Sequence, residues 1–173
     1  MSDIKINEVV SIVGEAGGRV VGRTRLQKIA YLLTATGLDE NFEFIYKHYG
    51  PFSADLASSA EFGALIGNLT EEKTQTQWGA VYSTYTVDGF QPPEVMTARG
   101  QLASIAAASD SIELELAATA VFLAREGYDD PWEETSQRKP EKVTPVRLQN
   151  AKALLIQLSQ IAVPQPIPEG LLQ

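Results

Sequence analysis

The sequence predicts a mainly helical α+β domain that is compact and carries a small β element of two or three strands. Apolar residues recur at the helical spacing in several separate segments, whereas 78–87 has the Val, Thr and aromatic composition of a strand. No internal repeat interrupts the 173 residues, a length that suits one domain with its own core. We therefore expect a single globular helical domain over 1–162 and a Pro-rich C-terminal tail over 163–173.

Composition narrows the functional classes. The net charge is −8 and the sequence pI is about 4.7, so the chain as a whole lacks a basic footprint for nucleic-acid phosphates. It contains no Cys and one His, which excludes disulfides, thiolate sites and His-rich metal centres. No apolar run approaches the length of a membrane span, and the charged N-terminal segment differs from a signal peptide. We expect a cytoplasmic protein without a membrane partner.

Two helices are expected in the first part of the chain. The first spans 3–14, begins at Ser2 or Asp3 as cap, and ends at Gly17-Gly18. The second begins at Thr24, which forms a capping box with Gln27, and ends at Gly37.

An aromatic segment and a sharp turn follow. Phe42, Phe44 and Tyr46 alternate with other residues, which indicates a short strand or extended run. The segment 48–53, HYGPFS, then turns at Gly50-Pro51. Ser53 is placed to cap a helix over 54–66, whose inward residues are expected to be Leu56, Ala60 and Leu65.

The predicted strand at 78–87 needs a partner, which we expect around 64–70 or in the 90s. Asp88-Gly89 is a turn signal, and Pro92-Pro93 excludes a central strand beyond it. A helix followed by such a β element is similar to the wing of a winged helix, so the expected fold includes a winged-helix-like arrangement.

The C-terminal half is expected to be helical apart from one polar stretch. A helix covers 97–107, Ser111 caps another over 112–126, and Thr144 caps the last, with Pro145 in its first position. The stretch 128–142 is polar and is expected to be irregular, with Trp132 docked on the core.

Three features invite a chemical interpretation. His48 is the only candidate general base, but no Ser, Cys or carboxylate pair stands at a catalytic spacing, so a structural or surface His is favoured. The acidic residues of 129–134 suggest a divalent-cation site, although a solvated loop is the preferred interpretation. The Gly-rich segment 14–22 follows a helix and not a strand, which argues against a phosphate cradle. We expect no enzymatic activity, no catalytic residue, no cofactor and no metal.

Arg23, Arg25 and Lys28 cluster near the start of the second helix, where cations oppose the helix dipole. One interpretation is a surface for phosphate or for an acidic partner. The other is that the Arg stems cover apolar surface and pair with nearby Glu.

Four segments carry a family resemblance: GRTRLQKIAYLL at 22–33, YKHYGPFSADL at 46–56, LELAATAVFLAREG at 114–127 and KP at 139–140. Over about residues 5–160 the chain resembles the bacterial YwgA-like proteins and, more distantly, the SocA/Panacea antitoxin domain. The resemblance implies a compact helical domain with a small β element. It also implies a role in binding another protein, since Panacea domains neutralise toxins. It further implies that Leu26 and Ile29 lie in the core, that Lys28 is a polar anchor at the helix edge, and that Tyr49, Gly50 and Pro51 form a shaped turn.

Two functional hypotheses follow. The first is a non-enzymatic interaction module, antitoxin-like or regulatory, whose partner is another protein, such as a toxin or regulator encoded nearby. Aromatic and Arg residues dominate interface hot spots, so its candidate surface comprises Arg23, Arg25, Lys28, Tyr49 and Phe52. The second is a winged-helix-like DNA-binding regulator. The 54–66 helix contains no Arg, Lys, Asn or Gln for reading a groove, which makes nucleic acid the less favoured partner.

Overall fold

The structure is a computed structural model and describes residues 2–173. Within that range it is a mainly helical α+β fold, as the sequence predicts, with the following elements: α1 (Asp3–Glu15), β1 (Arg19–Val21), α2 (Arg23–Ala35), β2 (Ile45–Lys47), β3 (Gly50–Phe52), α3 (Ala54–Leu65), β4 (Thr70–Gln75), β5 (Val81–Thr86), α4 (Ala98–Ala108), α5 (Ser111–Arg125), α6 (Pro131–Arg138), α7 (Pro145–Ser159) and a 3₁₀ turn (Glu169–Leu171). None of the described helices combines the length and the apolar character needed to cross a bilayer.

The first half of the chain follows the winged-helix order of elements. Strands β1, β5 and β4 form an antiparallel sheet in that order, with Val20 opposite Tyr85 and Glu71 opposite the same Tyr85 on its other side. The succession α1, β1, α2, α3, β4, β5 has the element order of the winged-helix-like arrangement considered above. By this order alone, α3 corresponds to the helix that would be the recognition helix of such an arrangement. The β2–β3 hairpin is an insertion between α2 and α3.

Helices α2 and α5 lie at the centre of the core. α2 packs on α4 and α5, and α5 also packs on α6, α7 and β3. Both helices are buried over most of their length, and Leu26 and Ile29 are buried as expected. A helix buried on several sides cannot place a polar residue inward without giving it a partner, and this condition shapes the site described below.

Of the four N-caps predicted for helices after the first, two are confirmed and two are wrong. Ser53 and Thr144 cap α3 and α7 through their hydroxyl groups, which confirms both. Thr24 is wrong as a cap: α2 begins one residue earlier, after Gly22, whose φ of 99° turns the chain out of β1. Ser111 is also wrong, because Asp110 accepts the free N–H groups of α5.

The strand pairings and the direction of Leu65 differ from expectation. The partners of β5 are β1 and β4, and β4 lies almost entirely beyond the expected 64–70. β4 and β5 are joined by a turn at 76–80, and Asp88-Gly89 forms a turn after β5, as predicted. In the aromatic segment only β2 forms strand pairing. Its partner is β3, the strand before α3, which contains Gly50 and Pro51. Leu65 points outward with 80% of its surface exposed, since α3 turns its opposite face to α1.

The polar stretch 128–142 is not irregular throughout, because Asp130 caps the two-turn helix α6. Trp132 is docked on the core as expected, and its indole N–H donates to the carbonyl of Leu171. The segment 163–173 packs across the domain: the backbone N–H of Gln165 donates to the carbonyl of Thr36, and Ile167 is buried.

Candidate functional site

The four segments that carry the family resemblance meet at one place, beneath the β2–β3 hairpin. The Lys28 ammonium of α2 donates to the carbonyl of Pro51 at 2.8 Å. Lys139, after α6, reaches the carbonyl of His48 at 3.3 Å and the carboxylate of Glu115 in α5 at 3.2 Å. Lys142 completes the group at 2.7 Å from Glu115. We call Lys28, Glu115, Lys139 and Lys142 the lysine cluster.

Gln27 forms a second connection between α2 and the hairpin. Its amide donates to the carbonyl of Ser53 at 2.9 Å and accepts the Ser53 N–H at 2.8 Å. The hydroxyl of the same Ser53 caps α3 by accepting the N–H of Leu56. The expected capping box of Gln27 with Thr24 is wrong. The Gln27 side chain lies in the interior, where it is the partner of the buried Ser53 N–H and adds a second hydrogen bond to the Ser53 carbonyl, which also accepts the N–H of Ala57.

The lysine cluster places three cations around one carboxylate. Only 1% of the Lys28 surface is exposed, and burial lowers its pKa to about 8, with Glu115 opposing that change and Lys139 and Lys142 adding to it. Burial also lowers the pKa of Lys139, with Glu115 again opposing. Glu115 is therefore the group that makes the buried ammonium ions tolerable.

Gly50 allows the hairpin to approach α5 closely. Its φ is +92°, and a Cβ there would lie 2.5 Å from the Thr119 hydroxyl oxygen and 3.7 Å from Cε of Lys28. Thr119 is fully buried, and its hydroxyl has no hydrogen-bond partner among residues 2–173. Glycine is thus required at this position both for its backbone conformation and for lack of a side chain.

The outer side of the hairpin is exposed and partly aromatic. Ile45 and Phe52 face each other across the strands, and the Lys47 ammonium lies 4.7 Å from the centre of the Phe52 ring. Tyr49, at the turn, has 53% of its surface exposed and meets Lys142 at 4.7 Å from its ring centre. We call Ile45, Lys47, Tyr49 and Phe52 the hairpin surface.

A neighbouring aromatic group extends this region. The guanidinium of Arg138 lies 4.6 Å from the ring centre of Tyr46 and 5.3 Å from that of Tyr128, and it donates to the Tyr128 hydroxyl at 2.8 Å. Glu134 holds the same guanidinium from the other side. Part of the acidic stretch thus orients an Arg and caps α6, and no group of three potential metal ligands is found in the described part of the chain.

The structure separates the candidate surface residues. Tyr49 and Phe52 share the hairpin surface, and Lys28 lies directly beneath it. Arg23, with an exposed side chain, lies instead beside the three-stranded sheet, 3.6 Å from Glu71. Arg25 donates to the carbonyls of Val21, Ala107 and Ser109 and thereby joins α2 to the α4–α5 connection.

Sequence reasoning did not single out Glu115, Thr119 and Lys142. A signal was present: Glu115 and Thr119 are four residues apart on the side of α5 that the apolar period buries. A carboxylate within a buried stripe requires a cation, and only the fold shows which lysines supply it. His48 contributes its backbone carbonyl, and its ring lies on the surface against Tyr49.

Comparison of the chain with family models, with curated proteins and with solved structures found no match.

Proposed function

We propose that the protein is a non-enzymatic interaction module, antitoxin-like or regulatory, that acts by binding another protein through the hairpin surface. The observation that carries the proposal is the attachment of this surface to the core. Two buried ammonium groups and one buried amide hold the backbone of residues 48–53 from below.

The attachment supports binding because it fixes the surface before a partner arrives. An exposed turn normally samples several conformations, and ordering it on binding reduces affinity. Here His48, Pro51 and Ser53 each receive a hydrogen bond from the interior, so Tyr49 and Phe52 project from a rigid backbone. Rigid aromatic side chains are the usual anchors of protein interfaces.

The chemistry of the lysine cluster is also consistent with a structural role. Its ammonium groups donate to backbone carbonyls and to Glu115, so each charged group that could act as acid or base is paired. In this proposal Lys28 positions the surface, while Tyr49 and Phe52 contact the partner. Arg23 would extend the contact only to a partner broad enough to reach the sheet.

The test is co-expression of the tagged chain with the product of the adjacent gene, followed by size exclusion with mass determination. We expect a stoichiometric complex whose dissociation constant rises about tenfold or more in Tyr49→Ala, as for an interface hot spot. Val146→Ala, an exposed apolar residue of α7, is the matched control and should bind normally. A complex that tolerates Tyr49→Ala and Phe52→Ala would contradict the surface assignment.

A second candidate is a DNA-binding regulator, because the order of elements and the sheet topology are those of a winged helix. The side chains of α3 speak against it, since the helix in the recognition position offers Asp55 and Glu61 and no basic residue. Binding to duplex DNA that weakens steeply with salt would support this candidate, and salt-independent or absent binding would contradict it.

A further inference from the structure

The helix in the recognition position, α3, presents an exposed face that is apolar and acidic. Ala54, Ser58, Glu61, Phe62 and Leu65 follow at intervals of four, three, one and three residues, which places them on one side of a helix. All five are exposed, whereas Leu56, Ser59, Ala60 and Gly63 form the opposite, buried side. Ile66, directly after the helix, adds another exposed apolar residue.

The β4–β5 hairpin, in the position of the wing, continues this character. Trp78 stands at its tip with 87% of its surface exposed, and Val81 and Tyr82 follow as exposed residues of β5. β4 packs against α3, so the two elements are neighbours in the fold as well as in the chain. Val81 and Tyr82 are successive strand residues and point to opposite faces of the hairpin, so the apolar side chains that can act together with α3 are those at the tip, with Trp78 the largest.

The charges on these elements indicate what would bind. From Ala54 to Gln75 the chain carries Asp55, Glu61, Glu71 and Glu72 against the single Lys73. Lys5 pairs with Asp55 and Arg23 with Glu71. Of the remaining charges, Glu72 and Lys73 are neighbours on β4, and Glu61 is the carboxylate beside Phe62 and Leu65. A negative face repels the phosphates of DNA. It would also repel a second copy of itself, because a symmetric dimer brings identical patches together.

We propose that the exposed face of α3 and the tip of the β4–β5 hairpin form a docking surface for a protein segment that presents apolar side chains flanked by Lys or Arg. Apolar contacts with Phe62, Leu65 and Trp78 supply the buried area, and Glu61 selects the basic partner. The docking surface rests on the proposed function as an interaction module, and it lies on different elements from the hairpin surface.

The test uses two synthetic amphipathic helical peptides, one of Leu and Lys and its counterpart of Leu and Glu. Each is titrated into the ¹⁵N-labelled full-length protein, and Trp fluorescence is followed in parallel. We expect the Leu/Lys peptide to shift the amide signals of α3 and of residues 76–80. It should also change the Trp emission, and Trp78→Phe should abolish this change although Trp132 still emits. Leu65→Ser and Glu61→Lys should each weaken binding about tenfold. Val146→Ser, on α7, should leave it unchanged.

Three results would overturn the proposal: no binding of the Leu/Lys peptide, equal binding of the Leu/Glu peptide, or shifts confined to other elements. Self-association that Leu65→Ser abolishes would also overturn it, in favour of a second copy as the occupant. Tyr49→Ala reports on the hairpin surface and Leu65→Ser on this one. A failure here is therefore distinguishable from a failure of the proposed function.

Discussion

The side-chain amide of Gln27 forms two hydrogen bonds with the backbone of Ser53. It donates to the Ser53 carbonyl at 2.9 Å and accepts the Ser53 N–H at 2.8 Å. Ser53 in turn caps α3. A single residue of α2 thus connects the end of the β2–β3 hairpin with the start of α3. The two exposed surfaces described above, on the hairpin and on α3, are both oriented from this pair.

Gln27→Ala should destabilise the protein by about 2 kcal/mol, because it leaves the buried N–H of Ser53 without a partner and removes one of the two hydrogen bonds to the Ser53 carbonyl, which still accepts the N–H of Ala57. The free energy of unfolding in urea, followed by circular dichroism, measures the effect. Gln149→Ala, an exposed position of α7, is the control and should change the free energy by less than about 0.5 kcal/mol. Equal effects of the two substitutions would show that the Gln27–Ser53 pair contributes nothing specific.

Gly50→Ala tests the close approach of the hairpin to α5. The substitution imposes a positive φ on Ala and places its Cβ 2.5 Å from the Thr119 hydroxyl oxygen, so we expect a loss of about 3 kcal/mol. Gly89→Ala is a matched control: φ is also positive, but no atom lies within 4 Å of the added Cβ, and the loss should be about 1 kcal/mol.

The double variant Gly50→Ala/Thr119→Ala separates the two causes. Removing the hydroxyl relieves the contact but not the backbone strain, so about half of the loss should be recovered. If the losses in free energy of unfolding of Gly50→Ala and Thr119→Ala simply add in the double variant, as measured in urea, this would contradict a direct contact between the two positions.

The sequence predicted the elements that depend on local patterns. The periods of α1, α5 and α7 and the caps Ser53 and Thr144 are local signals, and each held in the structure. The cap at Thr24 failed because Gly22 at the end of β1 determines where α2 begins, and β1 exists only through its pairing with β5. The outward direction of Leu65 depends on the packing of α3 against α1, which a short apolar segment does not reveal.

The candidate site was predictable only in part. The sequence shows the aromatic residues and the LQK segment of α2. It predicts a turn at Gly50-Pro51, whereas the chain turns at His48-Tyr49 and Gly50 and Pro51 lie in β3. Their convergence with Lys139 and Lys142 joins residues more than 90 positions apart, and no local pattern encodes such a contact. Lys28 illustrates the difference: its position on α2 suggests a helix-edge cation, whereas the inserted hairpin covers it.

Glu115→Gln should strongly destabilise the protein, because within residues 2–173 Glu115 is the carboxylate that forms ion pairs with both Lys139 and Lys142. Breaking a buried ion pair from one side leaves an uncompensated charge, and a loss of about 3 kcal/mol is expected near neutral pH. Glu133→Gln, exposed on α6, should have little effect. If Glu115→Gln is as stable as the wild type in urea unfolding, Glu115 does not compensate the buried cations.

Lys28→Met should change how stability depends on pH. Burial lowers the pKa of Lys28 from 10.5 to about 8, so between these values the unfolded chain retains a proton that the folded protein has lost. Stability rises with pH wherever the unfolded state binds more protons, hence wild type should gain about 2 kcal/mol relative to Lys28→Met between about pH 7 and pH 10. Urea unfolding at a series of pH values measures this difference.

Lys73→Met removes an exposed lysine from β4, and its profile should run parallel to that of wild type. Parallel profiles of wild type and Lys28→Met would mean that Lys28 keeps its ordinary pKa beneath the hairpin.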